Sequence, residues 1–180
     1  MAVPTRRPET PRQRPAARDA AAARYVWAVA RLALGWVFLW AFLDKTFGLG
    51  HATPRARAWI EGGSPTEGFL KHTPQGPLAD FYHGLAGSAA ADWLFMAGLA
   101  GIGAALLLGI GTRVAAAAGA VLLVMMWSAV LPPADNVFMD DHLVYAVVLV
   151  GLALTDAGDV LGLGGVWGRT ALVRRLPFLK

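Results

Sequence analysis

Long apolar runs separated by short polar segments make up most of the chain. Four such runs are present, over about residues 25–43, 93–110, 114–131 and 138–155. A helix needs about 20 apolar residues to cross the ~30 Å hydrocarbon core of a bilayer, and the first three runs approach that length. The pattern therefore predicts helices that span a membrane.

The fourth run is shorter in its apolar part than the other three. Its continuously apolar part begins only after His142, and a run of that length also suits a re-entrant segment or a buried helix. Including Phe138 and Met139 extends it to a full span. That extension places Asp140, Asp141 and His142 at the edge of the hydrocarbon.

Composition supports lipid as the surrounding medium. The chain has 180 residues, of which 56% are hydrophobic and 16% are charged, whereas soluble domains carry about 25% charged residues. We predict an all-α fold, a four-helix transmembrane bundle, within one membrane domain over residues 24–168. An Arg/Pro/Ala-rich tail, 1–23, is expected to be disordered, and a second basic tail covers 169–180.

The loop between the first two runs, residues 44–92, contains three helix start patterns. In "GSPTEGFL", Ser64 is a cap, Pro65 suits the first helical position, and Glu67 completes a capping box. The segments "TPRARAWIEGG" and "GPLADFYHGLAG" have similar patterns. We expect short interfacial helices here, covering the outer end of the bundle.

Small residues recur at helical spacing in the second and third runs. The positions are Ala97, Gly101 and Ala105 in one run, and Ala115 and Gly119 in the next. Small side chains let membrane helices approach closely. We therefore expect these positions to lie at helix contacts in a tight bundle.

Charge is distributed unevenly along the chain. Arginine and lysine concentrate in residues 1–24 and 169–180, whereas most acidic residues lie in the loop 44–92 and at 135–141. Because cytoplasmic segments retain positive charge, we expect a multi-pass protein of the cell membrane with both termini cytoplasmic. The basic tails account for the net charge of +4, so the expected partner is the lipid bilayer and nucleic-acid binding is not expected.

One charge interrupts the first run. Arg31 lies seven residues after Arg24, about 10 Å further along a helix. A charged residue at that depth either marks a functional site or has a side chain that extends back to the membrane–water interface. Asp156 and Asp159, at the same end of the bundle, are candidate ion-pair partners.

The acidic cluster near the start of the fourth run is the candidate catalytic site. Asp140, Asp141, His142 and the nearby Lys45 could form a proton relay, because histidine titrates near neutral pH. The alternative is that the acids only cap the helix. A metal site is not expected, because consecutive helical residues point in different directions.

Residue types also limit the redox chemistry. The chain has no cysteine, which excludes iron–sulfur ligation and thiol catalysis by this chain. No histidine pair falls at mid-membrane depth, so haem is not expected. The glycine-rich "GLGGVWG" lacks the lysine of a phosphate-binding loop and is interpreted as a turn. Electrons would then pass through a bound organic cofactor or a partner subunit.

Three segments carry a resemblance to a known family: "RLALGWVFLWAFLDK", "GSPTEGFL", and "DDHLVYAVVLVGLALTDAG" followed by "GLGGVWG". Together they resemble the DoxX/DoxD family of four-helix membrane proteins, which includes the small subunit of thiosulfate:quinone oxidoreductase. The resemblance covers about residues 24–168. The positions matched to its first-helix pattern are Arg31, Gly35, Phe38 and Lys45.

The resemblance implies an integral membrane subunit of a quinone-linked oxidoreductase of the thiosulfate:quinone type, with quinone as cofactor and a partner subunit or soluble redox enzyme. A quinone slot would then be lined by Arg31, Trp36, Phe38 and Trp40. The alternative is a non-catalytic membrane anchor or scaffold for soluble redox or sulfur-metabolism enzymes. The sequence leaves the oligomeric state open, including a homo-oligomer.

Overall fold

The computed structural model describes residues 13–180, with side-chain surroundings from residue 18 onward. This part is helical and contains no strand. The α-helices are α1 (Gln13–Phe47), α2 (Glu67–His72), α3 (Ala79–Leu85), α4 (Ala89–Leu108), α5 (Thr112–Ala129), α6 (Asp141–Leu154), α7 (Gly164–Trp167) and α8 (Ala171–Arg175). The predicted all-α fold class is confirmed.

The four longest helices form a closed bundle. Helix α1 packs on α4 and α6, and α5 packs on the same two helices. Their shared core is apolar and contains Phe38, Met96, Leu106, Leu149 and Leu152, all almost fully buried.

Three of the helices suit a membrane span. The Arg18–Phe47 part of α1, all of α4 and all of α5 are long and apolar enough to cross a bilayer by length and composition. Helix α6 is apolar but has only 14 residues, about 21 Å of rise. The fourth predicted span is therefore a shorter helix that begins at Asp141.

The first tail differs in part from its prediction. Residues 13–23 belong to α1, whereas the sequence predicted disorder over 1–23. Residues 1–12 of that predicted tail lie outside the described part of the chain. The second tail, 169–180, contains α8 and a 3-10 turn, Pro177–Leu179.

The outer loop has two of its three predicted helices. Helix α2 begins at Glu67, whose backbone N–H donates to Ser64 Oγ at 3.1 Å, and α3 occupies the third pattern. The segment "TPRARAWIEGG" instead forms two 3-10 turns, Arg55–Arg57 and Trp59–Glu61. Ala58 between them is extended and fully buried, which interrupts the expected helix.

Glycines mark the closest helix contacts, but not all at the expected positions. A Cβ on Gly103 would lie 2.7 Å from Leu39 N, so α1 and α4 nearly touch there. Gly119 packs against Leu149 as expected, whereas Gly101 has no atom within 4 Å of its Cβ position. The stripe that includes Gly101 lines an open apolar groove of about 420 Å³ between α4 and α5.

Candidate functional site

Arg31 is fully buried and bonded entirely to backbone. Its Nε donates at 3.1 Å, one Nη donates at 3.1 and 2.8 Å, and the other Nη makes the remaining two bonds. A guanidinium has five N–H donors, so none is left for a ligand. The carbonyl acceptors belong to Leu106, Leu107, Ala157, Val160 and Leu161.

The position of these carbonyls explains why a charge is stable there. The last four carbonyls of an α-helix have no partner within the helix and form the negative end of its dipole. Leu106 and Leu107 supply two of them from α4, and the other three follow α6. Arg31 therefore supplies donors to carbonyls at the end of α4 and in the segment after α6; of these carbonyls, Leu106 O also accepts from Gly109 N.

Glycines make this close packing possible. A Cβ on Gly162 would lie 2.6 Å from Gly158 O and 3.0 Å from an Arg31 Nη atom. Gly109 has a positive φ of 71°, and a Cβ at this position would lie 2.8 Å from Gly158 O. The start of "GLGGVWG", which the sequence suggested was a simple turn, thus forms part of the Arg31 cradle.

The predicted ion pairs of Arg31 with Asp156 and Asp159 are wrong. Asp156 pairs with Arg113 at 3.1 Å, and Asp159 accepts a hydrogen bond from Lys180 Nζ at 2.9 Å. That hydrogen bond raises the pKa of Lys180. The two acids hold the 176–180 segment against the end of the bundle and leave Arg31 to the carbonyls.

The four residues of the predicted quinone slot lie on different sides of α1. Arg31 and Phe38 face the interior, whereas Trp36 is exposed. The Trp40 ring lies beside the Trp36 ring, with ring centroids 5.7 Å apart. It also contacts the His51 ring, at a centroid distance of 5.2 Å. The structure does not bring the four side chains into one cavity.

The acidic cluster is held together by one hydrogen bond and one close contact of His142. His142 Nδ1 lies 2.7 Å from Asp140 Oδ2 and 3.3 Å from Asp141 Oδ1. Asp140 Oδ1 also accepts from the backbone N–H of Leu143 at 3.2 Å, which caps α6. Capping and clustering therefore occur together, whereas Lys45, half-buried near the end of α1, takes no part in these bonds.

The side chains of the acidic cluster converge, which was not expected from their consecutive positions in the sequence. The ligand atoms of Asp140, Asp141 and His142 lie within 4.8 Å of one another, although consecutive helical positions diverge. Asp140 is the cap, in extended conformation, so its side chain turns back toward His142. The spacing is compatible with a cation as well as with a proton relay.

Two buried acids have structural roles that the sequence did not reveal. Asp44 accepts backbone N–H bonds from His51 at 3.3 Å and Thr53 at 2.8 Å. Asp92 Oδ1 accepts from Ser64 Oγ at 2.9 Å and from Thr66 N at 3.1 Å. Each acid holds part of the outer loop against a bundle helix. The only indication in the sequence was that both aspartates stand where an apolar run meets the loop.

A family model described as DoxX matches residues 26–132, more than half of the chain. The chain belongs to the DoxX family. The three long apolar helices and this membership together identify a membrane protein. The DoxX match includes α1 from residue 26 onward, the outer loop, α4 and α5, and is shorter than the 24–168 expected from sequence resemblance.

The part of the site after residue 132 lies beyond the DoxX match. It includes the acidic cluster and three of the carbonyls around Arg31, whereas Arg31 itself and the α4 carbonyls lie within it. Comparison with curated proteins and with solved structures gave no match.

Proposed function

We propose that this DoxX protein is the integral membrane subunit of a quinone-linked oxidoreductase. In this proposal the chain exchanges protons with quinone at the Asp140, Asp141 and His142 cluster, while a partner subunit supplies the electrons. Membership of the DoxX family supports a membrane role. The resemblance to the small subunit of thiosulfate:quinone oxidoreductase suggests thiosulfate as the donor to test first.

The observation that carries the proposal is the hydrogen-bonded arrangement of His142. An ionised carboxylate only accepts hydrogen bonds, so the contact with Asp140 favours the tautomer of His142 with its proton on Nδ1. The other ring nitrogen, Nε2, can then accept a hydrogen bond from a different group. Asp141 is 68% exposed, whereas His142 is 21% exposed. The cluster thus leads from water to a partly buried imidazole in the first turn of the apolar helix α6.

The segment before the cluster offers an apolar surface to a quinone ring. Val137, Phe138 and Met139 are exposed, and Trp127 Nε1 donates to Phe138 O at 2.6 Å, which holds the segment in place. Reduction of a quinone to a quinol takes two electrons and two protons. A ring lying on this surface would be next to groups that can deliver the protons.

The test is quinone reduction by membranes that contain the protein and its partners. With thiosulfate as donor and a soluble quinone analogue as acceptor, His142→Gln should lower the rate about a hundredfold, the usual size of a general acid–base contribution. Asp140→Asn should also lower it while the helix stays capped, because asparagine caps as well as aspartate. Protein abundance in the membrane is measured in parallel.

Asp135→Asn is the matched control. Asp135 is an exposed acid in the same loop and lies outside the hydrogen-bonded cluster, so its removal should leave the rate unchanged. If all variants reduce quinone at the wild-type rate, the proton-relay proposal is wrong. Absence of thiosulfate activity with retained activity from another donor would reject only the choice of donor.

The second candidate is a non-catalytic anchor for soluble enzymes. It is favoured by the use of Arg31, Asp44 and Asp92 in internal hydrogen bonds alone. Under this hypothesis, His142→Gln has no effect on quinone reduction, whereas deletion of residues 1–20 releases a soluble enzyme from the membrane. Unchanged membrane association of all soluble partners would contradict attachment through that segment.

A further inference from the structure

Residues 169–180 form a surface that is both basic and apolar, and we call it the 169–180 surface. It contains α8 and the 3-10 turn Pro177–Leu179. No acidic residue occurs between positions 160 and 180. The exposed side chains of the surface include three large apolar groups and three arginines: Leu172, Leu176, Phe178, Arg169, Arg174 and Arg175.

The 169–180 surface is held against the bundle. Val173 is buried, and Trp167 Nε1 donates to Leu179 O at 2.6 Å. The backbone N–H of Arg113, in the first turn of α5, donates to Lys180 O at 2.9 Å. These contacts fix the backbone, so the apolar groups and the arginines are presented together.

The ion pairs on this side of the molecule do not involve the three arginines of the surface. The nearest acids along the chain are Asp156 and Asp159, and they pair with Arg113 and Lys180. Within the part of the chain that the structure describes, Arg169, Arg174 and Arg175 thus have no carboxylate partner. The surface is therefore complementary to an anionic partner.

The 169–180 surface lies at the level where two spanning helices end. Trp167 and Leu179 border the groove between α4 and α5 together with Gly111, which lies in the turn that joins those helices. Arginines and large apolar side chains on one element at this level are typical of segments that lie in a membrane interface. Phe178 is 59% exposed, and lipid can cover it at this depth.

We propose that the 169–180 surface docks onto anionic phospholipids of the adjoining leaflet, with its apolar side chains among the acyl chains and its arginines at the headgroup phosphates. Guanidinium groups form charge-assisted hydrogen bonds with phosphate oxygens. Burial of the apolar side chains adds to this attraction. The surface selects lipids with a net negative charge over zwitterionic lipids, whose phosphate is accompanied by a compensating cation.

Quenching by nitroxide-labelled lipids measures this selection. Ala171 is exposed within the surface, and Ala171→Cys gives the whole chain a single cysteine for a nitrobenzoxadiazole label, because the chain has no other. The protein is placed in vesicles of equal parts phosphatidylglycerol and phosphatidylcholine, and the nitroxide is carried by one lipid or the other. Since one basic residue near an anionic membrane surface changes affinity about fivefold, phosphatidylglycerol should be enriched about fivefold at the label. Added salt should lower this enrichment.

Two pairs of substitutions assign the selection to this surface. Arg174→Gln combined with Arg175→Gln should remove most of the enrichment. Arg18→Gln combined with Arg24→Gln is the matched control, because both arginines are exposed on α1 and Arg24 lies near Val160 on the same side of the bundle. This control should keep the wild-type enrichment. Circular dichroism confirms that each variant is folded.

The apolar contribution has a separate measurement. Leu176→Ser combined with Phe178→Ser should move the emission of the label toward that of an aqueous environment and increase its quenching by iodide. Ile60→Ser is the control, because Ile60 is an equally exposed apolar residue of the outer loop. It should leave both readings unchanged.

Three results would overturn the proposal. Equal quenching by the two nitroxide lipids around the wild type would show that the surface does not select anionic lipid. Equal losses in the two arginine pairs would show diffuse attraction to the whole basic side of the protein. Full access of iodide to the label in vesicles of the wild type would show that the surface faces water, as a docking site for a soluble protein would.

Discussion

Arg31 connects the middle of α1 to two other segments through a single side chain. Its carbonyl partners come from the end of α4 and from the segment after α6. A positive charge in this position is stabilised by aligned carbonyl dipoles and not by a carboxylate. The structure therefore gives Arg31 a structural role and not that of a ligand-binding cation.

This role predicts a stability effect. Arg31→Met should lower the free energy of unfolding by about 3 kcal/mol or more, because several buried carbonyls would lose their donor and each unsatisfied group costs about 1–3 kcal/mol. Arg31→Lys should recover only part of the loss, because an ammonium has three donors for the five carbonyls. Denaturant unfolding in detergent micelles, followed by circular dichroism, measures both variants.

Arg18→Met provides the comparison for this prediction. Arg18 is exposed on the same helix, and surface substitutions usually change stability by less than about 0.5 kcal/mol. The structural account is contradicted if Arg31→Met is as stable as Arg18→Met. A stable Arg31→Met protein that had lost quinone reduction would instead support the original slot hypothesis.

At the scale of elements, the contact between α1 and α4 depends on a glycine that the pattern of small residues did not single out. A Cβ on Gly103 would lie 2.7 Å from Leu39 N and 2.9 Å from Leu39 Cα. Backbone atoms cannot move away as a flexible side chain can. The two helices would have to separate to accommodate even one methyl group.

Gly103→Ala should therefore destabilise the bundle by about 1–3 kcal/mol, the typical cost of overpacking. Gly101→Ala, in the same helix, has no atom within 4 Å of the new Cβ and should be neutral or stabilising by up to about 1 kcal/mol, because alanine favours helix. Thermal unfolding of both proteins in the same detergent gives the comparison. Equal stability of the two variants would show that α1 and α4 are not in close contact.

For the molecule as a whole, the bundle brings both ends of the helical domain to one side. The contacts of Arg31 with residues 157–161 place the middle of α1 beside the segment after α6, and Ala21, Arg24 and Tyr25 lie next to the same segment. The positive charge of these regions predicts that this side is cytoplasmic, and the loop 44–92 then faces outward.

Single-cysteine labelling tests this orientation without background, because the chain contains no cysteine. In intact cells, a membrane-impermeant maleimide should label Gln75→Cys in the outer loop and should not label Ala20→Cys or Val166→Cys. All three should react after permeabilisation, which serves as the accessibility control. The reverse pattern would invert the orientation, and labelling of Ala20→Cys and Val166→Cys from opposite sides would contradict the fold.

The sequence by itself determined the long apolar helices of the bundle and their lipid environment. Lipid offers no hydrogen bonds, so each spanning segment must satisfy its own backbone, and an apolar run of the right length becomes a helix regardless of its neighbours. The helix at α2 was predictable for a similar reason, because Ser64 acts within its own turn and accepts the Glu67 N–H, although the helix begins at Glu67 and not at Pro65, and the Glu67 side chain pairs with Lys71. The acidic cluster was also visible, since its members are adjacent in the chain.

Only the tertiary structure decided which residue each of these helices contacts. Every residue has a carbonyl, so no sequence pattern distinguishes the five that surround Arg31. Trp36 and Phe38 are both apolar and two positions apart, yet one faces outward and the other lies in the core. Gly101 and Gly103 likewise differ only in what packs against them. Contacts between distant segments depend on how the helices are rotated and paired, and that arrangement arises only when the whole bundle packs together.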